Sequence, residues 1–257
     1  MDEAAPPPGL RRLDRHFRWR GSEVSRLEAL TDTAFATVLG LLFLRAAPPE
    51  SFTDLFAAVK SLVPFGVTFT MITYLWVEHW LFARRYDLQD PVATLLNLLL
   101  LFLLLFYAYP LKFLFTLMFV QVCGPIGDLT TAKMMEGCGG LHDIATLFVV
   151  YGVGFSSIFA VLGAMYARAL HFAEELGLDP VERFLTKSGM VQSLLQMAIG
   201  LLSIAFALAG IGVEWGLPGW TFMLAGPLMG MHGGWESRHV QKLLDAAAQQ
   251  RSLASNP

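Results

Sequence analysis

Charge is scarce in this sequence: Asp, Glu, Lys and Arg supply 15% of its 257 residues, against ~25% in an ordinary soluble domain. A water-soluble chain needs polar side chains over its whole outer shell, whereas here they gather in short stretches between long apolar runs, so water is not the main solvent. The net charge of −3 gives no field strong enough to argue for nucleic acid as a partner. Motifs of soluble catalysis are missing as well. There is no Gly-rich phosphate loop, dinucleotide fingerprint or nucleophile elbow, so neither an enzyme nor a bound cofactor is expected. The Pro- and Arg-rich start lacks the apolar stretch of a cleavable signal peptide, leaving the first apolar run to act as the insertion signal. Only two cysteines occur, Cys123 and Cys138. They share one loop, where they form a disulfide if that side is oxidising or remain unpaired thiols, because spacing alone does not fix their geometry.

What is present is apolar: 55% of the residues are hydrophobic. Six runs stand out, near Leu27–Leu44, Leu55–Phe82, Val92–Val120, Ile144–Leu170, Met190–Val213 and Trp215–Met231. At 1.5 Å per residue, ~20 helical residues match a hydrocarbon layer of ~30 Å. The expected fold class is therefore an all-α integral membrane protein of six transmembrane helices. Pro110 is expected to kink the third, Lys112 to snorkel outward from it, and the small residues Gly152, Gly154 and Gly163 to let the fourth approach a neighbour closely.

Basic residues sort the loops. Arg11, Arg12, Arg15, Arg18, Arg20, Arg26, Arg84, Arg85, Arg168, Arg183, Lys187, Arg238, Lys242 and Arg251 fall on one side of the alternation, and only Arg45, Lys60, Lys112 and Lys133 on the other. Lys and Arg flanking apolar spans stay in the cytoplasm, which places both termini there. The chain then divides into a cytoplasmic arm over residues 1–25, holding a short interfacial helix around Leu13 to Trp19, a six-helix membrane domain over 26–234 and a cytoplasmic tail over 235–257. A cell membrane, that of a bacterium, is the expected location.

Inside the first run Asp32 sits about one and a half turns deep. Insertion scales put the cost of a mid-membrane Asp at ~2.5–3.5 kcal/mol, so a partner is required. Arg26, His79 and Asn97 lie at a similar depth, and with Thr31 they make a candidate polar network that pins the first three helices together. The same network could act as a gate, with His79 as the titrating group. At the far end, His232, Glu236 and His239 have helical spacing that could hold a metal, but Gly233 and Gly234 weaken the helix there, and an interfacial cap is the simpler reading. No metal is assigned. Glu174, Glu175, Asp179 and Glu182 read as solvated ends, with Pro180 opening a helix after Asp179.

Arg26, Asp32 and Phe35 match the pattern Arg-x-x-x-Phe-Ser-Asp-x-x-Phe-Ala-Ile that opens the first helix of the transmembrane protein 175 family, the endosomal and lysosomal potassium channels and their six-helix prokaryotic relatives. The Tyr74 to Phe82 segment and the setting of Asn97 resemble that family's second and third helices. The resemblance covers roughly residues 26 to 110 and implies a homotetramer in a lipid bilayer, conducting potassium or another monovalent cation through a pore lined by the first helix. It implies no nucleic-acid partner. Family positions differ here: Leu30 stands for Phe, Thr31 for Ser, Thr37 for the constriction Ile, and Gly40 for a Thr tied to potassium preference. By helical spacing Thr33, Thr37, Gly40, Leu41 and Leu44 share one face, and Leu41 or Leu44 can supply an apolar neck. Two other functions fit the same features: a proton-coupled carrier using Asp32 and His79, and a membrane protein that kept the scaffold without conducting.

Overall fold

The computed structural model describes residues 17–21, 24–44 and 49–254. Most of the segment expected to form an interfacial helix, Leu13 to Trp19, lies outside them, and Phe17 to Gly21 form an extended strap. Long helices dominate: α1 Arg26–Leu44, α2 Phe52–Tyr86, α3 Pro91–Cys123, a single turn α4 Thr131–Met134, α5 Leu141–His171, α6 Pro180–Leu208, a short α7 Leu217–Trp220 and α8 Ala225–Ala254. Four of them, α2, α3, α5 and α6, are long and apolar enough to cross a membrane on length and composition alone.

Local chemistry sets the ends. Ser51 caps α2 by accepting from the Asp54 N–H, and Asp87 stops it in the left-handed region at φ 45°. Asp90 caps α3 ahead of Pro91. Asp179 and Glu182 form a capping box on α6 with Pro180 inside the first turn, as Pro at that position favours.

The last two apolar runs are arranged differently from their sequence reading. α6 starts ten residues before Met190 because the capping box nucleates it at Pro180, and its polar residues Glu182, Thr186, Ser188, Ser193 and Gln196 are buried. Gly210, Gly212 and Gly216 have positive φ and end it before Val213. A helical rod then begins at Leu217, tightens to a 3₁₀ stretch over Thr221–Leu224 and resumes as α8. It runs past Met231, and through residues 234 and 235 without a break, because a helix needs no continuous run of apolar side chains to propagate.

One core joins the bundle. Phe35, Val38 and Leu42 of α1 pack with Ile72, Leu75 and Phe82 of α2, Leu100 and Leu104 of α3, and Phe159, Met165 and Tyr166 of α5. Helices α5 and α6 approach backbone to backbone, as the glycines foreshadowed: a Cβ on Gly152 would lie 2.9 Å from the Gly200 carbonyl oxygen and 2.4 Å from Ile204 Cγ1. A Cβ on Gly154 would fall 1.9 Å from the Tyr107 ring. Gly152→Ala must push the two backbones apart, so it should lower the thermal midpoint of the detergent-solubilised protein by the equivalent of ~1–3 kcal/mol. Gly226→Ala, where a Cβ meets nothing within 4 Å, should leave it unchanged or slightly raised. Equal midpoints for both variants would refute close α5–α6 contact.

Candidate functional site

Helix α1 divides lengthwise. Glu28, Thr31, Phe35, Val38 and Leu42 are buried, whereas Thr33, Thr37 and Leu41 are exposed and Gly40 half-exposed. Leu41 keeps 58% of its surface free, and a Cβ on Gly40 would touch nothing within 4 Å. Thr33, Thr37, Gly40 and Leu41, expected to line a pathway, thus fall together on a side of α1 that the rest of the chain leaves uncovered; the Leu44 side chain lies outside the described residues. Along this face the Thr33 hydroxyl donates to the Ala29 carbonyl at 2.8 Å and the Thr37 hydroxyl to the Thr33 carbonyl at 2.7 Å. Each hydroxyl hydrogen is used inside the helix, which turns the oxygen lone pairs outward as cation acceptors.

The expected polar network resolves into separate pairings. Asp32, half-buried, accepts from the indole Nε1 of Trp76 at 2.8 Å. His79 and Asn97 are buried, and His79 Nε2 meets Asn97 Oδ1 at 2.5 Å. Asn97 Nδ2 donates to the Ala93 carbonyl at 2.8 Å, so its oxygen faces the ring and Nε2 carries the hydrogen. Thr31 donates to the Leu27 carbonyl at 2.8 Å. Arg26 is exposed and forms no ion pair among the described residues. Its expected place is taken by a second couple, Arg84 Nε against Glu28 Oε1 at 3.2 Å. Sequence reading missed Trp76 and Glu28; both lay inside the quoted motifs, Trp76 one turn before the histidine and Glu28 one turn before the aspartate.

Both ends of α1 are tied down. Lys112 does not snorkel outward: its ammonium donates to the Leu42 carbonyl at 2.8 Å, a favourable place for a cation because the last carbonyls of a helix carry partial negative charge. At the other end the strap of residues 17–21 crosses the bundle. The N–H groups of Arg20 and Gly21 donate to the Arg84 carbonyl at 3.0 and 3.2 Å. The Arg20 guanidinium reaches Glu182 Oε2 at 2.8 Å and the Leu176 carbonyl at 2.8 Å. Phe17 packs edge-on against Tyr86, with the Arg85 guanidinium 4.5 Å over its ring. Glu182 is therefore no solvated end; it is fully buried and held by a partner 162 residues away, a distance that no local spacing reveals.

Elsewhere the candidates separate. Cys123 and Cys138 are free thiols. Ser188 joins both His232 Nε2, at 3.0 Å, and the Glu236 carboxylate, while His239 stacks on Phe184 with ring centroids 4.9 Å apart. The three residues considered for a metal thus serve to fasten α8 to α6.

The chain is similar to known proteins. Residues 26–107 match the family described as endosomal/lysosomal potassium channel TMEM175. A protein of Marivirga tractuosa named "Potassium channel" is 35% identical over 238 residues, covering 90% of this chain and 95% of its own length. A crystal structure of a variant of the potassium channel MtTMEM175, in complex with a Nanobody-MBP fusion protein, superposes with a TM-score of 0.73 at 34% identity, covering 88% of this chain and 98% of that one.

One pairing at the strap end makes stability depend on pH. Asp90 accepts from Arg168 at 2.9 and 3.2 Å and from the N–H groups of Val92 and Ala93. Burial pushes its carboxyl pKa up, but the Arg168 and backbone hydrogen bonds outweigh this and hold it below the usual value. A carboxylate with a depressed folded pKa contributes stability that is fully present above its unfolded value and is lost as pH falls through the folded one. The tie between the start of α3 and the end of α5 should therefore hold at neutral pH and fail below ~pH 4. Asp90→Asn should lower the midpoint at neutral pH and flatten its acid decline. Parallel declines for wild type and variant, measured by thermal unfolding across that range, would rule the linkage out.

Proposed function

The chain belongs to the TMEM175 family, and from that premise we propose that it is a potassium channel whose pore is lined by α1 at the centre of a homotetramer. It conducts passively, without chemistry on its cargo. Six segments cross the bilayer, α1, α2, α3, α5, α6 and the rod that begins at Leu217. Both termini are cytoplasmic, with residues 1–25 and 235–257 flanking a membrane domain over 26–234. The bacterial relative supports a bacterial plasma membrane as the setting.

The observation that carries this reading is the free stripe of α1. A helix buried on one side by its own subunit, and presenting Thr33, Thr37, Gly40 and Leu41 on the other, is what a shared central pathway requires of each protomer. Leu41 gives an apolar neck that sheds water when narrow. Thr37 gives oxygen lone pairs that replace part of a cation's hydration shell, and the missing side chain at Gly40 leaves room between them. The Asp32–Trp76 hydrogen bond and the Glu28–Arg84 ion pair set the helix at a fixed rotation, so that this face points inward.

Purified protein in a planar bilayer, with potassium on one side and sodium on the other, should show unitary currents reversing toward the potassium equilibrium potential. Saturable uptake that follows a proton gradient would favour the carrier reading instead. Thr37→Ile should narrow the pathway and change the potassium to sodium permeability ratio severalfold. Unchanged ratios would remove Thr37 from the pore.

A further inference from the structure

Helices α6 and α8 run antiparallel, His232 lying opposite Ser188 and His239 opposite Phe184. At the arginine-rich end they enclose an open pocket of about 500 Å³, within the usual range for small-ligand sites. Its lining carries the cations Arg183 and Lys187 from α6 beside the His239 imidazole from α8, with Leu178, Phe184 and Leu243 as apolar walls. Among the described residues no carboxylate lines it. The acidic groups nearby are engaged elsewhere: Glu182 with Arg20, Asp179 with the Glu182 N–H, and Glu236 with Ser188. Arg183 Nε donates to the Leu178 carbonyl at 3.1 Å, which steadies the guanidinium, and neither Arg183 nor Lys187 forms an ion pair among the described residues.

A second feature says what kind of anion belongs there. From Lys187 an exposed stripe continues along α6 through Val191, Leu194, Ala198 and Leu201, the spacing of a single helix face. Cations at one end of an apolar track match an anionic headgroup with acyl chains below it, whereas a free phosphate would use only the cations. We propose that the pocket binds an anionic phospholipid, its phosphate between Arg183, Lys187 and His239 and its chains along the Val191 to Leu201 stripe. Basic pockets at the cytoplasmic ends of membrane helices recognise such headgroups by charge. Bound there, the lipid bridges α8 to α6, next to the ion pair through which the strap holds the start of α6.

Native mass spectrometry of the full-length protein, released from bilayers of mixed phosphatidylglycerol and phosphatidylcholine, tests this. Wild type should retain phosphatidylglycerol preferentially, and Arg183→Gln/Lys187→Gln should retain at least about threefold less. Arg238→Gln, an exposed arginine on α8 outside the pocket, should retain as much as wild type. Size-exclusion elution of each variant as the wild-type assembly keeps a folding defect from imitating the result; should the double variant misfold, Lys187→Gln alone must still lower retention. Equal retention by wild type and folded variant would overturn the site, and so would release of the lipid by millimolar inorganic phosphate, which would mark a phosphate site. The outcome is independent of whether the protein conducts, since lipid retention is read without current.

Discussion

A polar side chain in hydrocarbon has no water to turn to, so it gains by finding a partner across a helix boundary or by returning its hydrogen to its own backbone. The structure uses both solutions, and where each occurs decides what its helix can do. Thr33 and Thr37 of α1 return their hydrogens to the helix, which lets them stand on a face that the rest of the chain leaves uncovered. Asp32 and His79 cannot satisfy themselves that way. They take Trp76 and Asn97, joining α1 to α2 and α2 to α3. The rotation of α1 follows from that need, and with it the identity of the face left free.

How much of this was legible in the sequence depended on range. Five of the six apolar runs map onto long helices, because hydrophobic length is a property of a single segment. Asp179 and Pro180 marked the start of α6 for the same reason: a capping box is complete within four residues. The glycines of α5 announced a close approach, although not its partner, since Gly200 lies in another helix. The free stripe of α1 was also readable, because the period that separates buried from exposed positions is local.

Pairings across the fold were not readable. Glu182 looks like a surface charge until Arg20 arrives from the other end of the chain, and Lys112 looks like a snorkelling residue until the Leu42 carbonyl takes its proton-bearing head. The error over Arg26 has a similar origin. Position along a helix does not give direction around it, and Glu28, only two residues on, faces Arg84 while Arg26 faces outward. The end of the sixth run did not mark the end of a helix, because helix length is not limited to apolar residues and α8 continues into a charged half.

These ties together give α1 an unusual standing among the helices. It is held at its start by Glu28 and by the strap that precedes it, near its middle by Asp32, and at its end by Lys112, and each hold is polar and lies on its buried side. Removing one member of a buried charged pair costs ~3–5 kcal/mol, because the group left behind is desolvated and alone. Rotation of α1 by itself would break the Glu28–Arg84 ion pair together with the Trp76–Asp32 and Lys112–Leu42 hydrogen bonds. A change in the free face therefore requires α1 to move with the elements that hold it, α2 and α3. The strap crosses the C-terminal end of α2 to the buried carboxylate at the start of α6, so a displacement of α1 at its start also bears on α2 and α6.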